Sequence, residues 1–277
     1  MRAVLVTGAS TGIGAASAVA LAEAGFVVHA GVRNDADARR LAALHERIRP
    51  LHLDVTDGTS IGDALETVRA GDDALVGLVN NAGIAGGGPL ESVPLDDLRH
   101  VFEVNVMGAV AVTQAFLPLL RARPSRIVFV GSVSGRVSFP YIAPYSASKF
   151  ALRALADALR VELAPAQIFV SLIEPGSVVT PIWQKGRAMR EAMLERLRPD
   201  MPAYYRDATE AVIRGLEGEE RNGMPVDRVA RAIVETLTAA KPKAHRLMGA
   251  TAKIGALIAL LPAALHDRFL RATMRLP

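Results

Sequence analysis

A tyrosine and a lysine stand four positions apart in the segment YSASK, which begins at Tyr145 and ends at Lys149. Side chains at this spacing lie on the same face of a helix, so the ammonium can approach the phenol. A positive charge near a phenol favours the phenolate and lowers its pKa. We therefore expect Tyr145 to act as a general acid and base near neutral pH. Taken alone, the pair is equally compatible with two exposed side chains on a helix.

A serine follows a short apolar run at residues 126–130, in the segment GSVSG of residues 131–135. If that run is a strand, Ser132 lies at its carboxyl end, which is where ligands bind in open α/β sheets. A hydroxyl group there can hold a carbonyl or carbinol oxygen. Serine is also a common turn residue, so this position alone does not establish a catalytic role.

A glycine-rich turn, TGASTGIG, occupies residues 7–14, between an apolar run and a helical pattern. The amide groups and dipole at a helix N-terminus favour a pyrophosphate, and glycines let the backbone approach it closely. The spacing is GxxxGxG rather than GxGxxG, and a tight βα loop is the alternative reading. The predicted cofactor-binding residues of this turn are Gly8, Ser10, Thr11, Gly12, Ile13 and Gly14.

The elements that must position these residues alternate along the chain. Continuously apolar runs predict strands that are covered on both faces, and helical patterns such as residues 15–24 and 61–69 separate them. The predicted strands are residues 3–7, 27–30, 51–53, 77–80, 126–130, 169–173 and 245–248. This order predicts an α/β fold with a single Rossmann-type, doubly wound parallel sheet and helices on both faces. We expect one domain, residues 1–277, with a helical substrate flap at about 181–223 and an apolar to amphipathic tail at about 250–277.

Composition excludes several classes of site. The chain has no cysteine, which rules out disulfides, thiolate metal sites and cysteine nucleophiles. Its formal charge of +4 comes from scattered residues without a basic stripe, so we expect no nucleic-acid partner. The apolar run at 254–261 is too short to span a membrane. Because the first strand starts at residue 3, we expect no signal peptide and a cytoplasmic protein.

Several motifs in this order resemble the short-chain dehydrogenases/reductases, with most similarity to the branch of retinol and hydroxysteroid dehydrogenases. They are the glycine-rich turn, NNAG at 80–83, Asn105, Ser132, the YxxxK pair, and Pro175-Gly176 with Thr180. The resemblance covers roughly residues 3–180 and 226–248. It implies an NAD(P)-dependent enzyme that transfers a hydride between a nicotinamide ring and an alcohol or ketone, without a metal.

The resemblance also implies residue roles. Tyr145 would be the general acid and base, Lys149 would bind the nicotinamide ribose and tune Tyr145, and Ser132 would orient the substrate oxygen. Asn105 would sit at a helix kink that holds a proton-relay water. The further cofactor-binding residues implied are Asp54, Val55, Asn81, Ala82, Gly83, Pro175, Gly176, Val178 and Thr180. The family also implies a homodimer or homotetramer formed through the helices of Asn105 and Tyr145.

The end of the second strand bears on the choice of cofactor. An acidic residue there binds the adenosine 2′-hydroxyl of NAD, whereas an arginine accommodates the 2′-phosphate of NADP. This chain has Gly31 and Val32 at the expected acidic position, followed by Arg33. A guanidinium suits a phosphate, so we predict NADP(H). NAD remains the alternative, because Asp35 or Asp37 can fold back and Arg33 can simply be a solvent-exposed loop residue.

The substrate is less determined. Apolar side chains in the predicted flap, with Val133, Val137, Phe139 and Ile142, predict an adaptable apolar pocket and a lipophilic, retinoid-, steroid- or fatty-type substrate. Core packing or a subunit contact is the alternative for these residues. Two other readings stay open: a catalytically silent nucleotide-sensing regulator with the same fold, and a tail that contacts a membrane surface rather than packing on the enzyme or a partner subunit.

Overall fold

A computed structural model describes residues 1–179, 191, 193–195, 197 and 200–274. Its strands are β1 (Arg2–Val6), β2 (Val27–Val32), β3 (Ile48–His52), β4 (Ala74–Asn80), β5 (Ser125–Val130), β6 (Ile168–Pro175), β7 (Val178–Val179), β8 (Met224–Pro225) and β9 (His245–Met248). Its helices are α1 (Gly12–Glu23), α2 (Asp35–Ala42), α3 (Gly58–Ala70), α4 (Leu95–Phe102), α5 (Gly108–Leu120), α6 (Ala143–Glu162), α7 (Tyr204–Asn222), α8 (Val226–Thr238), α9 (Ala250–Ile258) and α10 (Ala263–Met274).

Seven strands form one parallel sheet in the order β3-β2-β1-β4-β5-β6-β9. The order reverses between β1 and β4, as in a doubly wound sheet, so the predicted α/β architecture is confirmed. Strand β3 differs from its prediction because it begins at Ile48, and as an edge strand it carries exposed as well as buried residues. A separate two-stranded parallel sheet pairs β7 with β8.

Each face of the sheet carries an apolar core. Phe116 from α5 and Leu152 from α6 pack on one face with Ile127 of β5. Leu21 from α1 and Ile233 from α8 belong to the core of the other face. Burial on both faces explains why the inner strands consist of continuous apolar runs.

Helices α4 and α5 are joined by a π-helical turn at Glu103–Met107. The resulting stretch, Leu95–Leu120, has the length of a membrane span; an 18-residue window within it has a mean hydropathy of 1.4, and half of that window is buried. Its buried side chains include Val112 and Phe116, which pack in the core beneath the sheet. The stretch is therefore apolar because it packs in the core of the fold.

The tail forms α9 and α10, and α9 packs on the segment that follows β5. Ala252 and Ile258 of α9 share a small core with Val133, Val137 and Leu270. This differs from the sequence-based expectation that Val133, Val137 and Phe139 line the substrate pocket. The tail helix buries the two valines, and Phe139 packs against the same core.

Candidate active site

A cleft of about 340 Å³ opens at the carboxyl ends of the strands. Its lining includes most of the residues predicted to bind a cofactor or act in catalysis: Gly8, Ser10, Thr11, Gly12, Ile13, Arg33, Asp54, Val55, Asn81, Ala82, Gly83, Ser132, Tyr145, Lys149, Pro175, Gly176 and Val178. Gly14 and Asn105 lie behind this lining. Thr180 and residues 181–190 of the predicted flap lie outside the described residues.

The glycine-rich turn brings the start of α1 against the cleft. Gly12 has a φ of +57°, which side chains disfavour. A Cβ atom on Gly14 would lie 2.2 Å from the carbonyl oxygen of Gly8, a distance that no side chain can occupy. Thr11 precedes the helix without a side-chain cap, so the first-turn amide groups are not satisfied by that side chain. This cradle fits a pyrophosphate group at the positive end of a helix.

Asn81 fixes the glycine-rich turn to the neighbouring strand. Its Nδ2 atom donates to the carbonyl oxygens of Thr7 and Gly8, each at 3.0 Å. The Thr7 hydroxyl oxygen accepts hydrogen bonds from the backbone N–H groups of Asn81 and Ala82, also at 3.0 Å. Thr7 was not among the predicted site residues, although it begins the TGxxxGxG motif that could have identified it.

Ser132, Tyr145 and Lys149 meet at the other end of the cleft. The Nζ atom of Lys149 lies 5.7 Å from the centre of the Tyr145 ring. It donates a hydrogen bond of 3.0 Å to the carbonyl oxygen of Val130, the last residue of β5. Ser132 lies close enough to the Tyr145 phenol to influence its pKa, and the Ser132 Oγ atom accepts a hydrogen bond from the backbone N–H of Ser134 at 3.1 Å.

The electrostatics of this group differ in part from the sequence-based expectation. Burial raises the pKa of Tyr145, and the hydrogen bond from Ser132 opposes that rise. The expected lowering of this pKa by the Lys149 ammonium is not found, because that ammonium is directed to Val130 and faces the ring. Burial lowers the pKa of Lys149 from 10.5 to about 8. The lysine therefore carries its charge at neutral pH and loses it in mildly alkaline solution.

Asn105 lies within the π-helical turn, where the resemblance implied a kinked helix. Its side chain is buried and fully engaged: Oδ1 accepts from the Ile84 amide at 2.8 Å, and Nδ2 donates to the Ile84 carbonyl at 2.9 Å and to Ser148 Oγ at 3.0 Å. Ser148 belongs to α6 between Tyr145 and Lys149. The asparagine thus connects the kinked helix, the segment after β4 and the helix of the tyrosine.

The opposite end of the cleft contains Arg33 and Asp54. Arg33 is exposed beside the cleft. Burial raises the pKa of Asp54, but hydrogen bonds from Thr56 and the charges of Arg33 and His52 outweigh burial, so the pKa is lowered. A carboxylate and a guanidinium therefore line the cleft where β2 and β3 end, and their contact with an adenosine group stays a prediction.

Contacts on α2 add two features that sequence reasoning missed. Arg40 donates to the carbonyl oxygen of Ser10 in the glycine-rich turn and forms an ion pair with Asp37 at 2.7 Å. Asp37 also accepts a hydrogen bond from Asn34 at 2.9 Å. The Asp37 carboxylate is thus held on α2 by Asn34 and Arg40, whereas Asp35, the other acid that the sequence left open, stays a candidate.

Known proteins with similar sequences belong to one enzyme family. A family model described as short chain dehydrogenase matches residues 2–191. The chain belongs to this family. It is 35% identical over 255 residues to a 3-amino-tetrahydro-pyrrolizinone reductase of Xenorhabdus hominickii, covering 91% of this chain and 88% of that protein. It is 35% identical over 253 residues to an NADPH-dependent 3-dehydrocapnine reductase of Ornithobacterium rhinotracheale, covering 88% and 87%. Retinol dehydrogenase 5 of Mus musculus is 36% identical over 211 residues, covering 74% and 66%.

Solved structures of this family superpose over nearly the whole chain. A short chain dehydrogenase from Burkholderia cenocepacia in complex with NADP gives a TM-score of 0.72 at 29% identity, covering 97% of both chains. A short chain dehydrogenase/reductase from Burkholderia phymatum in complex with NAD gives 0.73 at 26% identity, covering 99% of this chain and 92% of that one. The chain is thus a member of an oxidoreductase family, and its fold is one that binds nicotinamide cofactors in these relatives.

Proposed function

We propose that this short-chain dehydrogenase interconverts an alcohol and a ketone, with Tyr145 as the catalytic acid and base and NADP(H) as the preferred cofactor. The observation that carries the proposal is the convergence of Ser132, Tyr145 and Lys149 on the cleft that the glycine-rich turn lines. A nicotinamide cofactor bound there supplies or accepts the hydride.

The chain's own residues supply the acid–base chemistry. In the reductive direction the Tyr145 hydroxyl donates its proton to the developing alkoxide, and in the oxidative direction the phenolate accepts the proton of the alcohol. The Ser132 hydroxyl donates a second hydrogen bond to the same oxygen, which stabilises negative charge as it develops. Lys149, charged at neutral pH, lines the cleft while donating to the Val130 carbonyl oxygen, and its ammonium can bind the ribose of the cofactor. Asn105 joins the segment at Ile84 to α6 through hydrogen bonds and so fixes the position of these two elements beside the cleft.

Two features support NADP(H) over NAD(H). Arg33 is exposed at the adenosine end of the cleft, where its guanidinium can bind a phosphate. Asp37 is already bound to Asn34 and Arg40. Structural relatives contain either cofactor, so the preference is a proposal for this chain.

A lipophilic substrate is supported by apolar and aromatic side chains in the described part of the predicted flap. Met193 is fully buried and lies next to Gly88, while the stacked rings of Tyr204 and Tyr205 begin α7. Tyr205 hydrogen-bonds Glu91, which raises the pKa of this phenol to about 12. These contacts connect the described part of the predicted flap to the segment after β4. One relative, retinol dehydrogenase 5, is named for a lipophilic alcohol.

We also propose a homodimer or homotetramer. An exposed stripe runs along α6 through Phe150, Ala154, Ala158 and Val161, of which Val161 is 71% exposed. Apolar and small residues on an exposed helix face suit close packing against a second copy. Ala156, which shares that helix, faces the core instead and does not belong to the stripe.

The sequence left open whether the tail packs on the enzyme or contacts a membrane, and the two sides of α9 differ in this respect. One side of α9 packs on the enzyme body through Ala252 and Ile258. The other side exposes Leu257, and Leu260 beyond the helix is 81% exposed. Contact of this outer side with a membrane stays a prediction, which co-sedimentation of intact and tail-deleted protein with liposomes tests. A cytoplasmic location likewise stays a prediction.

The reaction is tested by following the absorbance of NADPH and NADH with ketones and alcohols of increasing apolar size. We expect turnover, higher kcat/KM with NADPH, and higher kcat/KM for larger apolar substrates. Absence of turnover across the panel, with normal cofactor binding, would favour the nucleotide-sensing alternative, for which the site gives no support because Ser132, Tyr145 and Lys149 are all present.

A further inference from the structure

A buried carboxylate outside the cofactor cleft contacts several segments that build the active site. The side chain of Glu174 is completely buried. Arg136 binds both of its oxygens, with Nε 2.7 Å from Oε1 and Nη2 2.6 Å from Oε2. This bidentate arrangement fixes the direction as well as the distance of the contact, which a point charge or apolar packing does not do.

A histidine extends the contact to a third element. The Nδ1 atom of His245 lies 3.2 Å from Glu174 Oε2, and its Nε2 atom lies 2.7 Å from Asp157 Oδ1. Asp157 belongs to α6, the helix of the catalytic tyrosine, and His245 begins β9. We refer to Arg136, Asp157, Glu174 and His245 as the Glu174 network.

The Arg136–Glu174 pair lies close to the reacting groups in sequence and in space. Arg136 ends the turn that Ser132 begins, and the turn is closed by hydrogen bonds from Gly135 N to Ser132 O at 2.9 Å and from Arg136 N to Val133 O at 2.8 Å. Glu174 directly precedes Pro175, which lines the cleft. The pair therefore joins the serine turn to the end of β6.

We propose that Arg136 and Glu174 are positioning residues, whose ion pair holds the turn of residues 132–136 so that the Ser132 hydroxyl stays within hydrogen-bond reach of Tyr145. The inference rests on the proposed function, because it assigns the pair a role in that same site. A turn held only by packing retains its place in the core but can rotate by small amounts. Displacements of about 1 Å can lower a rate about 100-fold.

The test replaces both charges at once. Removing one partner would leave a buried unpaired charge and can unfold the protein, whereas replacing a buried pair by apolar residues is often neutral for stability. In the R136M/E174M variant we expect a melting temperature and an NADPH Kd close to those of the wild type, with kcat lowered about 10- to 100-fold. The Arg136→Lys variant, which keeps the charge but loses the fork, should show a smaller loss.

A second readout does not depend on turnover. Because the Ser132 hydrogen bond lowers the pKa of Tyr145, its weakening in R136M/E174M should raise that pKa. Ultraviolet titration of the phenol, with Tyr145→Phe as the reference, measures this shift in the cofactor-free protein. The groups that face this phenol are Ser132 from the turn and Lys149 from α6, and both are retained in the variant.

The matched control is R246M/E235M, which removes an arginine–glutamate pair on the outside of the protein. It should leave kcat and the Tyr145 titration unchanged. Wild-type kcat and an unshifted titration in a stable R136M/E174M protein would show that the pair serves stability alone and would overturn the inference. If that variant does not fold, the same two results in Arg136→Lys would overturn it. A wild type without turnover would refute the proposed function, and the titration would still decide the positioning role.

Discussion

The Nζ atom of Lys149 lies 3.0 Å from the carbonyl oxygen of Val130, inside the protein. The lysine is 6% exposed, and burial holds its pKa at about 8. A residue that the proposed mechanism needs in the charged form is thus placed where carrying the charge is unfavourable. Stability and function have opposite requirements at this position.

We predict that Lys149→Met stabilises the cofactor-free protein at pH 7 while lowering its activity. The lysine pKa is near 10.4 in the unfolded chain and about 8 in the folded one. The unfolded state therefore binds more protons between these values, and wild-type stability rises with pH across that range. At pH 7 the variant should gain up to about 3 kcal/mol in unfolding free energy. Urea unfolding at pH 7 and pH 10 checks this, since the advantage should shrink at pH 10. An equal difference at both pH values would contradict the prediction.

Replacing Tyr145 by phenylalanine should abolish most turnover and leave the nucleotide bound. The substitution removes the proton donor, which typically contributes about 10²- to 10⁴-fold to a rate, whereas the glycine-rich turn and Arg33 lie elsewhere on the cleft. Steady-state kinetics and NADPH fluorescence titration measure the two quantities separately. Activity within a few-fold of the wild type would refute the assignment of Tyr145.

The Arg33→Ala variant should lose the preference for NADPH over NADH. A charge-assisted hydrogen bond contributes about 1.5–3 kcal/mol, so NADPH affinity should fall roughly 10- to 100-fold while NADH affinity stays nearly constant. The control is Arg39→Ala, which removes an exposed arginine on the neighbouring helix α2. It should change neither the NADPH affinity nor the NADH affinity. Equal weakening of both cofactors would indicate that Arg33 stacks on the adenine instead.

A methyl group added at Gly14 should disrupt the glycine-rich turn. Its Cβ atom would lie 2.2 Å from the Gly8 carbonyl and 2.6 Å from Asn81 Nδ2, so the turn must shift and cofactor affinity should fall at least about tenfold, equivalent to 1.4 kcal/mol. Gly62→Ala is the matched control, because a Cβ at Gly62 in α3 meets nothing within 4 Å. That variant should bind the cofactor normally and gain about 0.5–1 kcal/mol of stability. Normal binding by Gly14→Ala would refute the role of the turn.

A charge at Phe150 should dissociate the proposed oligomer. The ring is 40% exposed on the outer stripe of α6, and burying a carboxylate against a second copy is unfavourable. Light scattering of Phe150→Glu should report a smaller species than the wild type. Leu44→Glu, at a position that is 50% exposed beyond the end of α2, should leave the mass unchanged. A wild type that is monomeric at micromolar concentration would end this proposal.

The sequence predicted the sheet, the glycine-rich turn and the positions of Ser132, Tyr145 and Lys149 at the cleft because each depends on a local pattern. Glycine spacing, a four-residue helical interval and the end of an apolar run all operate within a few residues. The direction of the Tyr145 pKa could not be obtained in the same way, because it depends on burial and on where the Lys149 ammonium points. Both follow from tertiary packing.

Longer-range contacts were missed for the same reason. Arg136 and Glu174 are 38 positions apart, and each looks like an ordinary charged residue in the sequence. Val133 and Val137 seemed to belong to the substrate pocket because they follow Ser132, yet they are covered by α9, more than 110 positions later. A local sequence pattern cannot predict which distant helix will cover a given side chain.

The pairing of β6 with β9 has a consequence for synthesis of the chain on the ribosome. His245 contacts Glu174 and Asp157, which precede it by 71 and 88 residues. The glycine-rich turn, the tyrosine helix and Glu174 are all translated before residue 245 emerges. A nascent chain can therefore assemble most of the cleft early, but the edge that supports Glu174 closes only after β9 has been made, and a chain terminated before β9 lacks that support altogether.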